Sequence, residues 1–163
     1  MVYKGHHSCG GSLLNSDTVL TAAHCLLETN PQNPDGKLIK IQIDKLTVIL
    51  GTIYNVSSEK EENRQTSQVK NEISHPAYDE KTFDNDFAIL KLSTPVKFTK
   101  YVNPICLPES SNLNLDSVEA IVSGWGVNYG LDITSFPAIL QKVKRNKGRW
   151  SLDSYECKLS HPL

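Results

Sequence analysis

Apolar residues along this chain come in short runs, and polar, turn-rich segments separate one run from the next. Ser12 to Leu14, Val19 to Thr21, Leu46 to Leu50, Val69 to Ile73, Phe87 to Leu92, Val118 to Val122 and Ile139 to Val143 carry the pattern. Runs this short, rich in β-branched and leucine side chains, predict strands, and their regular recurrence predicts an all-β barrel or sandwich. Two segments break the rhythm. Residues 28 to 45, beginning Glu28-Thr29-Asn30-Pro31-Gln32-Asn33-Pro34-Asp35-Gly36, form an insertion-like loop between two predicted strands. After Val143 the alternation stops at Lys144-Arg145-Asn146-Lys147-Gly148-Arg149-Trp150-Ser151, which predicts a divergent tail over 144–163.

The length of 163 residues predicts one domain and suffices to bury a core. A formal charge of −1 argues against nucleic acid or an acidic membrane surface as partner, and one basic cluster beside Trp150 does not reverse that. No apolar stretch reaches membrane-span length, and the first eight residues contain no apolar run of signal-peptide length. The 4 cysteines, at positions 9, 25, 106 and 157, allow three pairings and fit an oxidising, extracellular setting.

Chemistry enters at Thr21-Ala22-Ala23-His24-Cys25, where an apolar strand runs through two small residues into a histidine. Small side chains let a tight turn pack beneath the imidazole. Asp86 immediately precedes the run Phe87-Ala88-Ile89-Leu90, and a carboxylate entering a core demands a partner. A base for a weak nucleophile and a carboxylate to orient that base are two parts of a catalytic triad. Asp84 is the rival carboxylate, but it stands further from the apolar run and reads as a solvated loop residue.

At these residues the chain resembles the chymotrypsin-like (trypsin-like) serine endopeptidases. Cys9-Gly10-Gly11-Ser12-Leu13-Leu14 is similar to the strand before the family histidine, and Ile73-Ser74-His75-Pro76-Ala77-Tyr78 to the segment before the aspartate. Asn103-Pro104-Ile105-Cys106-Leu107-Pro108 and Ser123-Gly124-Trp125-Gly126 follow in the family's order, so the resemblance covers roughly residues 8 to 143. Together the ordered motifs are a strong signal where each alone would be weak. The resemblance implies a first six-stranded barrel, nearly complete, and the opening strands of a second: a peptidase domain over 1–163 that is partial at both ends. It implies that His24 is general base and then general acid, that Asp86 orients it, and that protein or peptide substrates are hydrolysed outside the cell without a cofactor.

The resemblance also implies a Cys9–Cys25 disulfide clamping the histidine turn. It implies that Cys106 pairs with a pro-region ahead of Met1 and that Cys157 pairs beyond Leu163; pairing of Cys106 with Cys157, or two free thiols, is the alternative. The loop at 28–45 would border the substrate cleft or be a solvated insertion without effect. Ser58 to Arg64 lies where some relatives bind calcium, but Thr52 stands where those relatives carry a glutamate, and charge runs are usually solvated surface. No metal is expected there, nor at His6, His7, Cys9, His24 and Cys25, whose spacing is unlike paired zinc knuckles. Asn55-Val56-Ser57 is a sequon for N-glycosylation.

The family nucleophile belongs to a Gly-Asp-Ser-Gly-Gly turn, and neither that stretch nor any Gly-x-Ser-x-Gly occurs in the sequence. The polypeptide is therefore expected to be catalytically dead. An incomplete second barrel would also expose strand edges, so poor solubility or partial folding is expected. The alternative function is that of a non-catalytic protease homologue with a binding or regulatory role.

Overall fold

The computed structural model describes residues 1–30, 32, 36–55, 61–108, 120–126 and 137–145. The chain divides into two compact units, one of residues 1–52 and 56–104, the other of residues 53–55 and those from 105 on.

The first unit contains strands β1 (Val2–Tyr3), β2 (His6–His7), β3 (Ser12–Asn15), β4 (Thr18–Thr21), β5 (Leu27–Thr29), β6 (Leu38–Lys40), β7 (Leu46–Leu50), β8 (Gln65–Ser74) and β9 (Ala88–Leu92). Seven of them form one antiparallel sheet in the order β2-β1-β7-β8-β9-β4-β3, curled as a half-barrel. Strand β8 makes the bend possible. Its residues Gln65 to Gln68 pair with β7, and Val69 to Ser74 pair with β9, with a register shift between Val69 and Asn71. An extra residue on one strand bends it and increases its twist, which turns the sheet around its own core.

Alternation places the core. Along β9, Ala88, Leu90 and Leu92 point inward, while Ile89 and Lys91 are only half-buried. Leu46 and Val48 of β7, Val69 of β8, and Leu13 and Val19 of β3 and β4 meet them in one cluster with Leu26, Ile41, Val96 and Val102. Each such aliphatic side chain removed from water stabilises the fold by roughly 1.5–3 kcal/mol before entropy is counted. Gly51 is required where it stands. Its φ is +68°, and a Cβ there would lie 2.3 Å from the Asn63 carbonyl oxygen and 3.0 Å from Val102.

The insertion between the histidine turn and β7 is not a loop throughout. Leu27–Thr29 pairs antiparallel with Leu38–Lys40, Thr29 opposite Leu38, and Ile43–Lys45 makes a short 3-10 turn. Ile41 reaches the core at 7% exposure and its N–H bonds to the Leu26 carbonyl at 3.0 Å. Glu28 ties the ribbon to the start of the chain by accepting from Tyr3 Oη at 2.9 Å and Lys4 Nζ at 2.8 Å. Strands of three residues are too short to display a period of two, and the flanking polar and proline residues mask them. Val2–Tyr3 also joins the sheet, pairing with β7 on one side and with β2 on the other. The turn between β1 and β2 is Lys4-Gly5 with both φ positive, the geometry that matches the twist of a tight hairpin.

The second unit, among the described residues, holds an antiparallel pair of strands, β10 (Ala120–Gly124) and β11 (Gln141–Arg145), with Val122 opposite Val143. Residues 53–55 run beside 138–140: Tyr54 bridges Ile139, Leu140 N donates to Ile53 O at 2.7 Å, and Trp125 Nε1 donates to the same carbonyl at 3.0 Å. No described helix is long and apolar enough to cross a membrane.

Candidate active site

Strand pairing brings the two candidate residues together. Thr21, the last residue of β4, lies opposite Ala88, the first of β9. In an antiparallel pair the segment leaving one strand and the segment entering the other share an end of the sheet. His24 follows β4 by a single 3-10 turn (Ala23–Leu26), and Asp86 stands two residues before β9. Ala23, at 1% exposure, packs beneath the turn where a larger side chain would displace it.

Asp86 grips His24 twice across 62 positions: Oδ1 accepts the His24 backbone N–H at 2.8 Å, and Oδ2 meets the ring Nδ1 at 2.6 Å. The first bond fixes the turn, and the second fixes the rotation and tautomer of the ring. Burial pushes the Asp86 carboxyl up, but the hydrogen bonds from the His24 ring and backbone, the His24 charge and the Ala23 N–H outweigh it and hold the carboxyl below its usual range. The His24 side chain is 48% exposed and that of Asp86 20%. The carboxylate is thus sheltered, while the imidazole reaches solvent and, with Nδ1 committed to Asp86, can take up a proton at Nε2.

A disulfide joins Cys9 to Cys25, and Cys25 Sγ lies 3.5 Å from His24 Nε2. Thr21 Oγ1 adds a bond to the Gly10 carbonyl at 2.9 Å, so the histidine turn is fastened to the segment before β3 at two points. The ligand atoms of Cys9, His24 and Cys25 lie within 4.8 Å of one another. Two sulfurs bonded to each other supply no thiolate for zinc, so the cluster is a clamp on the histidine and not a metal centre.

Three residues that the sequence did not single out shape the site. Phe83, with φ +59°, sets its ring at 79° to the His24 ring with centroids 6.0 Å apart. Asn85, also left-handed at φ +57°, donates from Nδ2 to the Ala77 carbonyl at 3.0 Å. Tyr78 packs against the core, and burial, with the charge of Asp86 next, pushes its phenol up. An asparagine before the aspartate is a recognisable signal for a left-handed turn; Phe83 and Tyr78 carry no comparable one. Asp84 is exposed, and its carbonyl accepts the Asp79 N–H at 3.0 Å in the same turn.

The other sequence candidates fall elsewhere. Cys106 is disulfide-bonded within this structure, where the resemblance implied a bond to a pro-region; Cys157 lies outside the described residues. Asn55 donates from Nδ2 to the Pro137 carbonyl at 2.7 Å, and Val56 and Ser57 of its sequon lie outside the described residues, as do residues 58–60 of the acidic loop.

A curled antiparallel half-barrel with a histidine and an aspartate at one end of adjacent strands defines the class of chymotrypsin-like folds. The chain belongs to the Trypsin family, which it matches over residues 1–147. It is 38% identical over 145 residues to human mannan-binding lectin serine protease 1 (Homo sapiens), a match over 86% of this chain and 20% of that protein. It is 34% identical to Transmembrane protease serine 11B of Homo sapiens, over 87% of this chain and 30% of that protein. To Inactive serine protease PAMR1 of Homo sapiens it is 33% identical, over 94% of this chain and 20% of that protein. The chain therefore spans between a fifth and a third of the length of these relatives.

Proposed function

We propose that this chain carries the base half of a serine endopeptidase centre acting on protein or peptide substrates outside the cell. His24 takes the proton from a serine hydroxyl and returns it to the leaving amine, and Asp86 holds the imidazole in the required tautomer and stabilises its charged form. The observation that carries this reading is the double grip of Asp86 on His24, through Oδ1 at 2.8 Å and Oδ2 at 2.6 Å. The Cys9–Cys25 disulfide supports the extracellular setting.

The sequence holds no Gly-Asp-Ser-Gly-Gly turn, so the 163-residue polypeptide has neither an activated serine nor the oxyanion hole that such a turn builds. It does not hydrolyse peptide bonds by itself. A serine-directed fluorophosphonate is expected to leave it unlabelled, and stoichiometric labelling at a serine overturns this. Sequencing the transcript beyond residue 163 tests the parent activity. A Gly-Asp-Ser-Gly-Gly segment there makes the longer protein a protease, in which His24→Ala should lower kcat on the order of 10⁶-fold. An unchanged kcat refutes the role given to His24.

A second reading, a non-catalytic homologue that keeps the scaffold for binding, draws on the 33% identity to a relative named as an inactive serine protease, over 94% of this chain. A downstream segment with another residue at the serine position selects it.

A further inference from the structure

Three ligand-type atoms converge at the histidine turn: the Sγ atoms of Cys9 and Cys25 and a ring nitrogen of His24 lie within 4.8 Å of one another. While the two sulfurs are bonded to each other they offer no thiolate. Reduction changes that chemistry and leaves the three side chains where they are. Thr21 Oγ1 still bonds the Gly10 carbonyl at 2.9 Å, and Asp86 still accepts the His24 N–H at 2.8 Å, so the segments that carry them remain fastened.

The spacing suits a tetrahedral cation. Zinc binds a thiolate sulfur at about 2.3 Å and an imidazole nitrogen at about 2.0–2.1 Å, so a sulfur and a nitrogen on one tetrahedral ion stand about 3.5–3.6 Å apart. Cys25 Sγ and His24 Nε2 are already 3.5 Å apart. Nε2 is also the nitrogen whose lone pair is free for a metal. Nδ1 meets Asp86 Oδ2 at 2.6 Å, which keeps the ring proton on Nδ1. A histidine that ligates a metal through one nitrogen almost always donates from the other to a carboxylate, a carbonyl or water, and Asp86 supplies that partner in advance. The His24 side chain is 48% exposed, so a cation reaches the cluster from solvent.

We propose that reduction of the Cys9–Cys25 bridge by a small thiol converts the clamp into a site for a thiophilic divalent cation such as Zn²⁺, held by Cys9 Sγ, Cys25 Sγ and His24 Nε2. Two equivalents of the thiol balance the reduction: the first forms a mixed disulfide with one cysteine and releases the other, the second displaces the first cysteine, and the products are the small disulfide and two cysteine thiols. The cation then replaces the proton on each thiol, two protons leave to solvent, and the imidazole adds its Nε2 lone pair while Nδ1–H stays on Asp86. The two thiolates cancel the charge of the cation, and three protein ligands leave the fourth position to water. The lone pair given to the cation is the one that would take a proton from a nucleophile, so the loaded site has its base blocked; that consequence alone rests on the protease reading.

The test titrates the full chain with Co²⁺, a spectroscopic stand-in for Zn²⁺, before and after reduction with a phosphine, which opens the bridge without adding a competing thiol. The reduced chain should develop a thiolate-to-cobalt absorption band that Zn²⁺ abolishes by displacement, and the oxidised chain should develop none. Asp86→Asn should weaken Co²⁺ binding about 10–100-fold, the scale for an orienting partner of a metal-ligating histidine, and His24→Gln by at least as much. Zn²⁺ should also raise the urea midpoint of the reduced chain and leave that of the oxidised chain unmoved, because a ligand of the folded state stabilises it. The absence of a band in the reduced chain, a band of unchanged affinity in His24→Gln, or one that persists in Cys25→Ser overturns the proposal. So does a reduced chain that Zn²⁺ neither folds nor stabilises. None of these readouts involves peptide hydrolysis, so failure of the protease reading leaves this result intact, and the reverse holds as well.

Discussion

Replacing both members of the Cys9–Cys25 disulfide with alanine measures how far a covalent clamp, rather than packing, holds the candidate base. The bridge spans 16 positions. Closing a loop of that size in the unfolded chain restricts it by an entropy equivalent to about 3 kcal/mol at 25 °C. Both cysteines are half-buried against the core, so truncation to alanine removes a little apolar contact as well, roughly 0.5 kcal/mol each at about 25 cal/mol per Å². The expected loss is thus about 3–4 kcal/mol, a large part of the roughly 5–15 kcal/mol that holds a typical domain together. Thr21 Oγ1 still bonds the Gly10 carbonyl, and Asp86 still accepts the His24 N–H, so the turn should survive in the folded fraction and open locally more often. Urea unfolding gives the first quantity, and amide hydrogen exchange at His24 gives the second. An unfolding free energy within about 1 kcal/mol of the parent's, with an unchanged m-value, refutes the loop-closure reasoning. A stability loss without faster exchange at His24 refutes the claim that the bridge acts on the histidine turn.

Two further outcomes follow from the geometry. The Asp86 carboxyl is held below its usual range in the folded state, so its contribution to stability is fully present above about pH 3.9 and is lost as pH falls through the folded value. Asp86→Asn should therefore be less stable than the parent at pH 6, with the difference shrinking below about pH 3.9; a difference independent of pH between 2 and 6 contradicts this. Gly51→Ala should destabilise by more than about 1 kcal/mol, because the position has φ +68° and a Cβ would stand 2.3 Å from the Asn63 carbonyl oxygen. Equal thermal stability of this variant would show that the backbone relaxes at no cost.

The sequence disclosed those parts of the fold that obey a simple period. Leu46–Leu50 is a strand as its alternation predicts, and Phe87 to Leu92 falls across β9 with Ala88, Leu90 and Leu92 buried as alternation requires. Val69 to Ile73 falls within β8, but the register shift after Val69 breaks the alternation and leaves Ile73 at 55% exposure. The long extension of β8 back to Gln65 was not legible, because Gln65 to Gln68 is polar apart from its ladder of hydrogen bonds to β7. Strands β1, β2, β5 and β6 are two or three residues long and owe their existence to partners distant in sequence. Periodicity carries no information about such partners. In the site, His24 and Asp86 stand out because each adjoins an apolar run. Phe83 and Tyr78 do not, since a left-handed φ on a phenylalanine and the packing of a loop tyrosine against the core become visible only in three dimensions.

Among the described residues, the groups that place His24 lie in the first unit: the pairing of β4 with β9, the Cys9–Cys25 bridge, the Thr21 bond to Gly10 and the double grip of Asp86. None of them depends on a serine or on an oxyanion hole. The His24–Asp86 pair is therefore assembled by the half-barrel itself, whether or not a nucleophile is supplied. It follows that a well-formed His24–Asp86 pair is equally at home in a protease and in a homologue that has lost its serine, because the forces that build the pair are those that build the sheet. Catalysis requires the further coincidence of a serine hydroxyl within hydrogen-bond reach of Nε2 and donors aimed at the developing oxyanion. The decisive residues for activity are thus the nucleophile and its glycine turn.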